Sequence, residues 1–415
     1  MRRALTVLAA SAVLVSSAVV MSQPAQAAAA GTGGPVAPTA FGMHVPSIAQ
    51  GTAPVAPYGA VRLWDSGVAW GQVEQANGKY WWNGLDAAIA TANQQNAKIL
   101  YVLGSTPTWA ASNKKQGTYP YKGAASMPSM KVWKAWVNAV TTRYADSIES
   151  YQIWNEANLS TFWQGTPKQM ADLTSAAAKI IRKNDPTAKI VAASSTVRLQ
   201  SAYKKFFPKY LKELKKAKWP VDAIAVHLYP SGTGTPADRA NYINQVKSDM
   251  KKAKVPASKQ LWDTEINYGI AGPGSTPHTT IDGGQAAAYV AQTYLDDLRL
   301  GVERAYWYFQ TPSSPLVGIQ MAAGSAGALG YQTVQSWLNG SYFSCTTGAV
   351  NTCQLGDYAA PQVIAWASSG SAPFTVPANV VRACDATANC VPATPGTTVT
   401  IGSMPTWFGT AAAWS

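Results

Sequence analysis

Between residues 41 and 309 the chain repeats one pattern eight times, a short apolar run that reads as a strand followed by a longer segment. The runs are 41–45, 60–64, 98–103, 150–154, 189–193, 223–228, 260–264 and 304–309. The segments between them carry helical spacing. Thr166 and Pro167 open one in which Met170, Leu173, Ala177, Ile180 and Ile181 share a face, and Asp185-Pro186 stops it. Val132, Trp133, Trp136, Val137, Val140 and Tyr144 form a second stripe, and Tyr289, Val290, Tyr294, Leu295 and Leu298 a third that Gly301 ends. A helix after every strand returns the chain to the same end of the sheet, so the strands run parallel, and eight such units close on themselves. The expected fold is α/β, a (β/α)₈ TIM barrel.

After Trp337 helical periodicity stops and short Val/Thr/Pro segments follow at 363–368, 374–376, 379–382 and 397–401, which read as a small β-sandwich-like domain that braces the barrel. Trp366, Phe374 and Trp407 read as exposed there without forming a binding platform. At the other end, Arg2 and Arg3 precede an apolar run, and Ala25-Gln26-Ala27 offers a cleavage site between small residues. The expected organisation is a signal peptide at 1–27, a linker at 28–38, the barrel at 39–340 and an accessory β domain at 341–415. No later run is long enough to span a bilayer. The mature protein is therefore expected outside the cell, with no stable membrane insertion.

Export bears on the cysteines and on the charge. Cys345, Cys353, Cys384 and Cys390 all fall in the last quarter, where oxidising conditions allow three pairings. Local closure, Cys345 with Cys353 and Cys384 with Cys390, is expected because each bridge would pin a short loop. Zinc spacing is absent, so no metal is expected. The formal charge is +13, of which Arg2 and Arg3 supply two. An exported chain rarely meets nucleic acid, so acidic glycans or an anionic cell envelope are the expected electrostatic partners. Seven lysines between Lys204 and Lys218 surround Phe206, Phe207, Tyr210 and Leu214 at helical spacing, which reads first as a solvated helix face.

The carboxyl ends of barrel strands carry the chemistry of this fold. His44 ends the first run, Arg62 and Trp64 the second, Asn155 and Glu156 the fourth, His227 and Tyr229 the sixth, Glu265 the seventh and Trp307 the eighth. His278 falls in a Gly/Pro-rich loop. Two glutamates at strands four and seven face each other across the mouth, and glycoside hydrolysis needs such a pair, one carboxyl protonated and one ionised. With 16 Trp and 19 Tyr, the chain has more aromatics than its core requires. Trp64, Trp109, Trp163, Tyr268 and Trp307 are the candidate sugar platforms, Trp307 first among them. Trp154 and Trp262 read as packing, with their direction left open. No G-x-S-x-G, H-E-x-x-H, P-loop or dinucleotide fingerprint is present, so no cofactor is expected.

The segments Ile153-Trp154-Asn155-Glu156-Ala157-Asn158 and Trp262-Asp263-Thr264-Glu265-Ile266-Asn267-Tyr268 resemble glycoside hydrolase clan A, whose members carry Asn-Glu after strand four and Glu after strand seven. Phe41-Gly42-Met43-His44 and Val61-Arg62-Leu63-Trp64-Asp65 look most like family 39. The resemblance covers the barrel and implies Glu156 as general acid/base, Glu265 as nucleophile, Asn155 as a donor to the sugar 2-hydroxyl, and Arg62 as the charge that holds Glu265 ionised. It further implies hydrolysis with retention, through carboxyls ~5 to 5.5 Å apart. Ala157 departs from the proline common in the clan, which is expected to leave that loop less rigid. The expected activity is that of a secreted retaining glycosidase on a β-linked oligo- or polysaccharide, endo-acting on an exopolysaccharide or envelope glycan. An exo-acting β-xylosidase, a transglycosylase and a catalytically idle glycan-binding protein are the alternatives. Segments 111–129 and 271–284 are the expected walls of the site.

Overall fold

The computed structural model describes residues 35–356 and 362–410, so the expected signal peptide and most of the linker lie outside the described residues. Eight parallel strands follow one another: β1 (Phe41–Met43), β2 (Ala60–Leu63), β3 (Lys98–Val102), β4 (Ser150–Gln152), β5 (Lys189–Val191), β6 (Ala223–His227), β7 (Gln260–Ile266) and β8 (Arg304–Trp307). Each pairs with the next, and β8 pairs back onto β1 through Phe41 and Ala305, closing the barrel. A two-residue strand, Ser195–Thr196, adds to β6 at its upper end.

Besides the single turn Trp70–Val73, seven helices follow strands two to eight among the described residues: α1 (Asn83–Gln94), α2 (Met130–Arg143), α3 (Pro167–Asn184), α4 (Gln200–Lys216), α5 (Pro236–Ala253), α6 (Gly283–Leu300) and α7 (Ala326–Leu338). The first unit departs from the expected alternation, with only a 3₁₀ turn, Ile48–Gln50, after β1. Local chemistry fixes the ends. The Thr166 hydroxyl accepts from Gln169 N–H while the Gln169 side chain accepts from Thr166 N–H, and Gly301 closes α6 at φ 79°.

Strand side chains alternate between two layers. Ala60, Leu100, Val191, Ala223, Ala225, Trp262 and Tyr306 fill the barrel interior. Their strand neighbours point outward and pack with the apolar helix stripes. Trp262 therefore faces inward, beneath the Arg304 guanidinium at 4.1 Å, whereas Trp154 faces outward against Trp133 and Trp163. In α4 the residues Phe206, Phe207, Tyr210 and Leu214 are buried.

Most strands stop short of the expected ends because the chain bends into loops at the barrel mouth. Strand β7 runs further, to Ile266, because it takes up one extra residue. Asp263 pairs with Val226 and Glu265 with His227, leaving Thr264 as a bulge. The bulge matters for the site. Asp263 points outward and binds Arg239 at 2.6 Å, and strict alternation would send Glu265 the same way.

The C-terminal region is antiparallel. Strands β9 (Phe343–Thr346), β10 (Val350–Leu355), β11 (Gln362–Ala367), β12 (Ala372–Thr375), β13 (Arg382–Asp385), β14 (Cys390–Pro392), β15 (Thr398–Ile401) and β16 (Thr406–Gly409) form a six-stranded sheet, in the order β9-β10-β11-β16-β13-β14, and the β12-β15 pair. The expected strand at 379–382 is displaced, since Asn379 sits at φ 68° and the strand starts at Arg382. Cys345–Cys353 and Cys384–Cys390 are bridged, each across a neighbouring strand pair. Trp366 and Trp407 are buried, contrary to the expectation of exposure, and belong to the same continuous apolar core as the barrel. The Gln292 amide of α6 donates to Ser403 O across that contact.

Candidate active site

At the upper end of the barrel a cavity of about 280 Å³ opens among the strand-end loops. Glu156 enters it after β4, with its backbone at φ 37°, a region that costs a non-glycine residue ~1–3 kcal/mol and persists where surroundings enforce it. Here the next loop does so. Glu156 N–H donates to Ser194 Oγ at 2.9 Å, and Ala157 N–H donates to Ser194 O at 2.9 Å. The second bond needs an N–H that proline lacks, so Ala157 anchors the loop that its presence was expected to loosen.

Glu265 enters from the β7 bulge. Arg62, fully buried on β2, donates from Nη1 to Glu265 Oε1 at 2.7 Å, from Nη2 to Asn155 Oδ1 at 2.7 Å and from Nε to Gln152 Oε1 at 2.8 Å. Tyr229 donates its hydroxyl to Glu265 Oε2 at 2.9 Å. His227 stands between the two glutamates, with Nδ1 3.0 Å from Glu156 Oε1 and 3.2 Å from Glu265 Oε2. Both neighbours are carboxyl oxygens, and Nε2 meets no partner among the described residues, which assigns the proton to Nδ1.

Burial and charge separate the two acids. Burial pushes Glu156 up to about 7, against the opposing pull of Arg198 and Arg62. Burial also raises Glu265, while the Arg62 charge opposes that rise. An arginine without exposure requires a counter-charge, and Glu265 is the carboxylate in contact with Arg62, so Glu265 is the ionised member. Desolvation brings His227 down to about 3 and leaves its imidazole neutral.

Of the residues read from sequence, Trp64, Asn155, Glu156, Tyr229 and Glu265 line the cavity, and Arg62 and His227 support them from beneath. His44 is buried behind the site and donates from Nε2 to Thr264 O at 3.0 Å. Four of the five expected sugar platforms lie outside this cavity. Trp307 has no exposure and faces the outer layer, because the inward positions are Tyr306 on β8 and Tyr308 just after it. Tyr268 is buried and bonds Thr293 Oγ1 at 2.7 Å. Trp109 is half-buried and donates to Glu74 O at 2.8 Å. Trp163 is buried and backs a neighbouring groove. His278 lies away from the cavity, beside Thr280.

The aromatic lining comes from the expected Trp64 and Tyr229 and from Tyr119, Phe162 and Tyr308, which the sequence reading missed. Asp65 accepts from the hydroxyls of both Tyr119 and Tyr308, the latter at 2.6 Å, and so fixes two of those rings. Asp65 stood next to Trp64 in the sequence, but only the fold reveals its two tyrosine partners. The segments expected as walls contribute, since Tyr119 comes from one and Ala271 and Gly272 of the other hold Arg198.

Glu156, His227 and Glu265 are also the one group of three such donors close enough to share a cation among the described residues, their donor atoms lying within 4.8 Å. Arg62 already occupies Glu265 Oε1 with positive charge, which opposes a second cation there.

Residues 67–325 match the family described as the glycosyl hydrolase catalytic core. Solved structures with this fold include a family 39 glycoside hydrolase from Bacteroides cellulosilyticus WH2, with a TM-score of 0.67 and 17% identity over 90% of this chain and 81% of that one. A family 39 β-xylosidase from Caulobacter crescentus gives a TM-score of 0.64 and 17% identity over 92% and 97%. A family 30 endoxylanase from Clostridium papyrosolvens C71 gives 0.60 and 14% over 92% and 98%. No protein of curated function matches the sequence. With more than half of its length matched and a glutamate pair at the mouth of its barrel, the chain belongs to the glycosyl hydrolase catalytic core family.

Proposed function

We propose that the protein is an exported retaining β-glycosidase, with Glu265 as nucleophile and Glu156 as general acid/base. The observation that carries this reading is the spacing of the pair. Their donor oxygens lie within 4.8 Å of one another and share one imidazole nitrogen, too close for the ~6.5 to 9.5 Å that an inverting enzyme needs to seat a water.

In the first step Glu156 gives its proton to the glycosidic oxygen and Glu265 attacks the anomeric carbon, releasing the leaving sugar. Glu156, now ionised, takes a proton from water, whose oxygen displaces Glu265 from the anomeric carbon with net retention. Arg62 and Tyr229 keep Glu265 ionised and oriented. Asn155 is anchored by Arg62 and turns its amide toward the sugar, while Trp64 and Tyr308 pack against the ring. The leader-like sequence of residues 1–27 and the two disulfides support export. Arg198 lines both the cavity and a larger groove beside it, and this adjacency favours an extended substrate and internal cleavage over trimming of single end residues.

The test is hydrolysis of a panel of β-linked aryl glycosides and polysaccharides by wild type, Glu265→Ala and Glu156→Ala. Activity present in wild type and lost in Glu265→Ala supports the reading. Glycans bound equally by all three proteins and cut by none would establish a binding protein instead.

A further inference from the structure

Beside the catalytic cavity lies a groove of about 710 Å³, and Arg198 lines both. One wall starts at Ala157, the residue after Glu156, and runs through Ser160; the other comes from 198–206. On the reading of Glu156 as general acid, the leaving oxygen lies at its carboxyl, so the leaving sugar extends into this groove. The two spaces differ in charge. The cavity is lined by Asp65, Glu156 and Glu265 with Arg198, whereas the groove is lined by Arg198 and Lys205 and by no carboxylate.

Arg198 is built in place. It is half-buried and donates from Nη1 to Gly272 O at 2.9 Å and from Nη2 to Ala271 O at 3.3 Å. Both acceptors are neutral, and no carboxylate pairs with it among the described residues. A guanidinium carries five N–H donors, so some remain for a ligand. Neighbouring surface cations behave otherwise, since Lys168 pairs with Asp172 and Lys216 with Glu213.

We propose that this groove is the leaving-group site and that it takes a sugar carrying an anionic group, a uronate or a sulfate, held by Arg198 and Lys205. The substrate is then an acidic glycan whose cleaved unit is neutral and whose leaving unit is charged. This rests on the glycosidase reading for the side that leaves, but the anion site itself is testable without turnover.

The experiment compares methyl β-D-glucuronide, methyl β-D-glucoside 6-sulfate and neutral methyl β-D-glucoside in two ways. Binding to wild type, Arg198→Met and Lys205→Met is followed by NMR titration. Interception is followed by product analysis with the aryl glycoside that wild type cleaves fastest. There an acceptor hydroxyl gives its proton to Glu156 as its oxygen displaces Glu265 from the anomeric carbon. A charge-assisted hydrogen bond predicts about tenfold preference for an anionic ligand over the glucoside, reduced by salt and by either substitution. Lys205 is exposed, so its replacement leaves the fold intact. The ranking of glucuronide and sulfate identifies the anionic group. Equal binding of all three ligands overturns the proposal even if aryl glycosides are cleaved. Preferential anion binding without cleavage of any aryl glycoside keeps the anion site and overturns the glycosidase reading.

Discussion

The imidazole of His44 donates from Nε2 to the carbonyl of Thr264 at 3.0 Å, and Thr264 is the extra residue that turns β7 by one position. Asp263, before the bulge, faces the helices and Arg239; Glu265, after it, faces the barrel mouth and Arg62. His44 reaches this carbonyl from just past β1, two strands away around the ring, and ties down the peptide that aims Glu265. Burial holds its ring well below the ordinary histidine range, so it is a neutral donor.

His44→Leu removes that donor and leaves a buried carbonyl unpaired, at a cost of ~1–3 kcal/mol. Kinetics separate positioning from folding: kcat falls ~10²-fold with little change in KM, as a displaced nucleophile requires. His44→Gln, which keeps an N–H donor, recovers part of the loss. A variant with wild-type kcat and only a lower melting temperature contradicts this role.

The alkaline limb of kcat/KM reports the proton on Glu156. Burial places that group at about 7, so activity falls as pH rises through that value and the acid is lost. Arg198 pulls the value down, so Arg198→Met moves the limb to higher pH. Rate profiles of the two proteins on one aryl glycoside check the direction. A limb that moves down, or stays fixed, rejects Glu156 as the titrating acid.

Two adjacent aromatic residues, the last of β8 and the one after it, have opposite duties. Tyr308→Ala removes a ring from the cavity and frees Asp65 from one hydroxyl, raising KM about tenfold with modest loss of stability. Trp307→Ala empties an outer-layer position and costs ~3–5 kcal/mol, with KM unchanged in protein that folds. Thermal melts and Michaelis constants of the two variants separate the roles. The reverse pattern would mean that Trp307, not Tyr308, meets the sugar.

Much of this was legible before the fold. Period and length located all eight strands, because each is a short apolar run bounded by polar loops, and both glutamates stand at strand ends where the barrel exposes side chains. Three things were not legible. Alternation tells which residues share a face but not which face is inside, so Trp307 was placed at the mouth and Tyr308 overlooked. The bulge at Thr264 is a register shift between strands, and no single strand carries its signature. Tyr119, Phe162 and Arg198 sit on loops whose course is set by distant contacts, such as those from Arg198 to Ala271 and Gly272.

The central claim, that Glu265 forms a glycosyl-enzyme bond, is tested most directly by two readings on one protein. Proton NMR follows the first sugar released from a β-linked substrate, and mass spectrometry of a digest locates the label after reaction with a 2-deoxy-2-fluoro aryl glycoside. The account predicts a β-anomer formed first and a glycosyl label on the peptide that contains Glu265. An α-anomer formed first, or a label on any other residue, would contradict it.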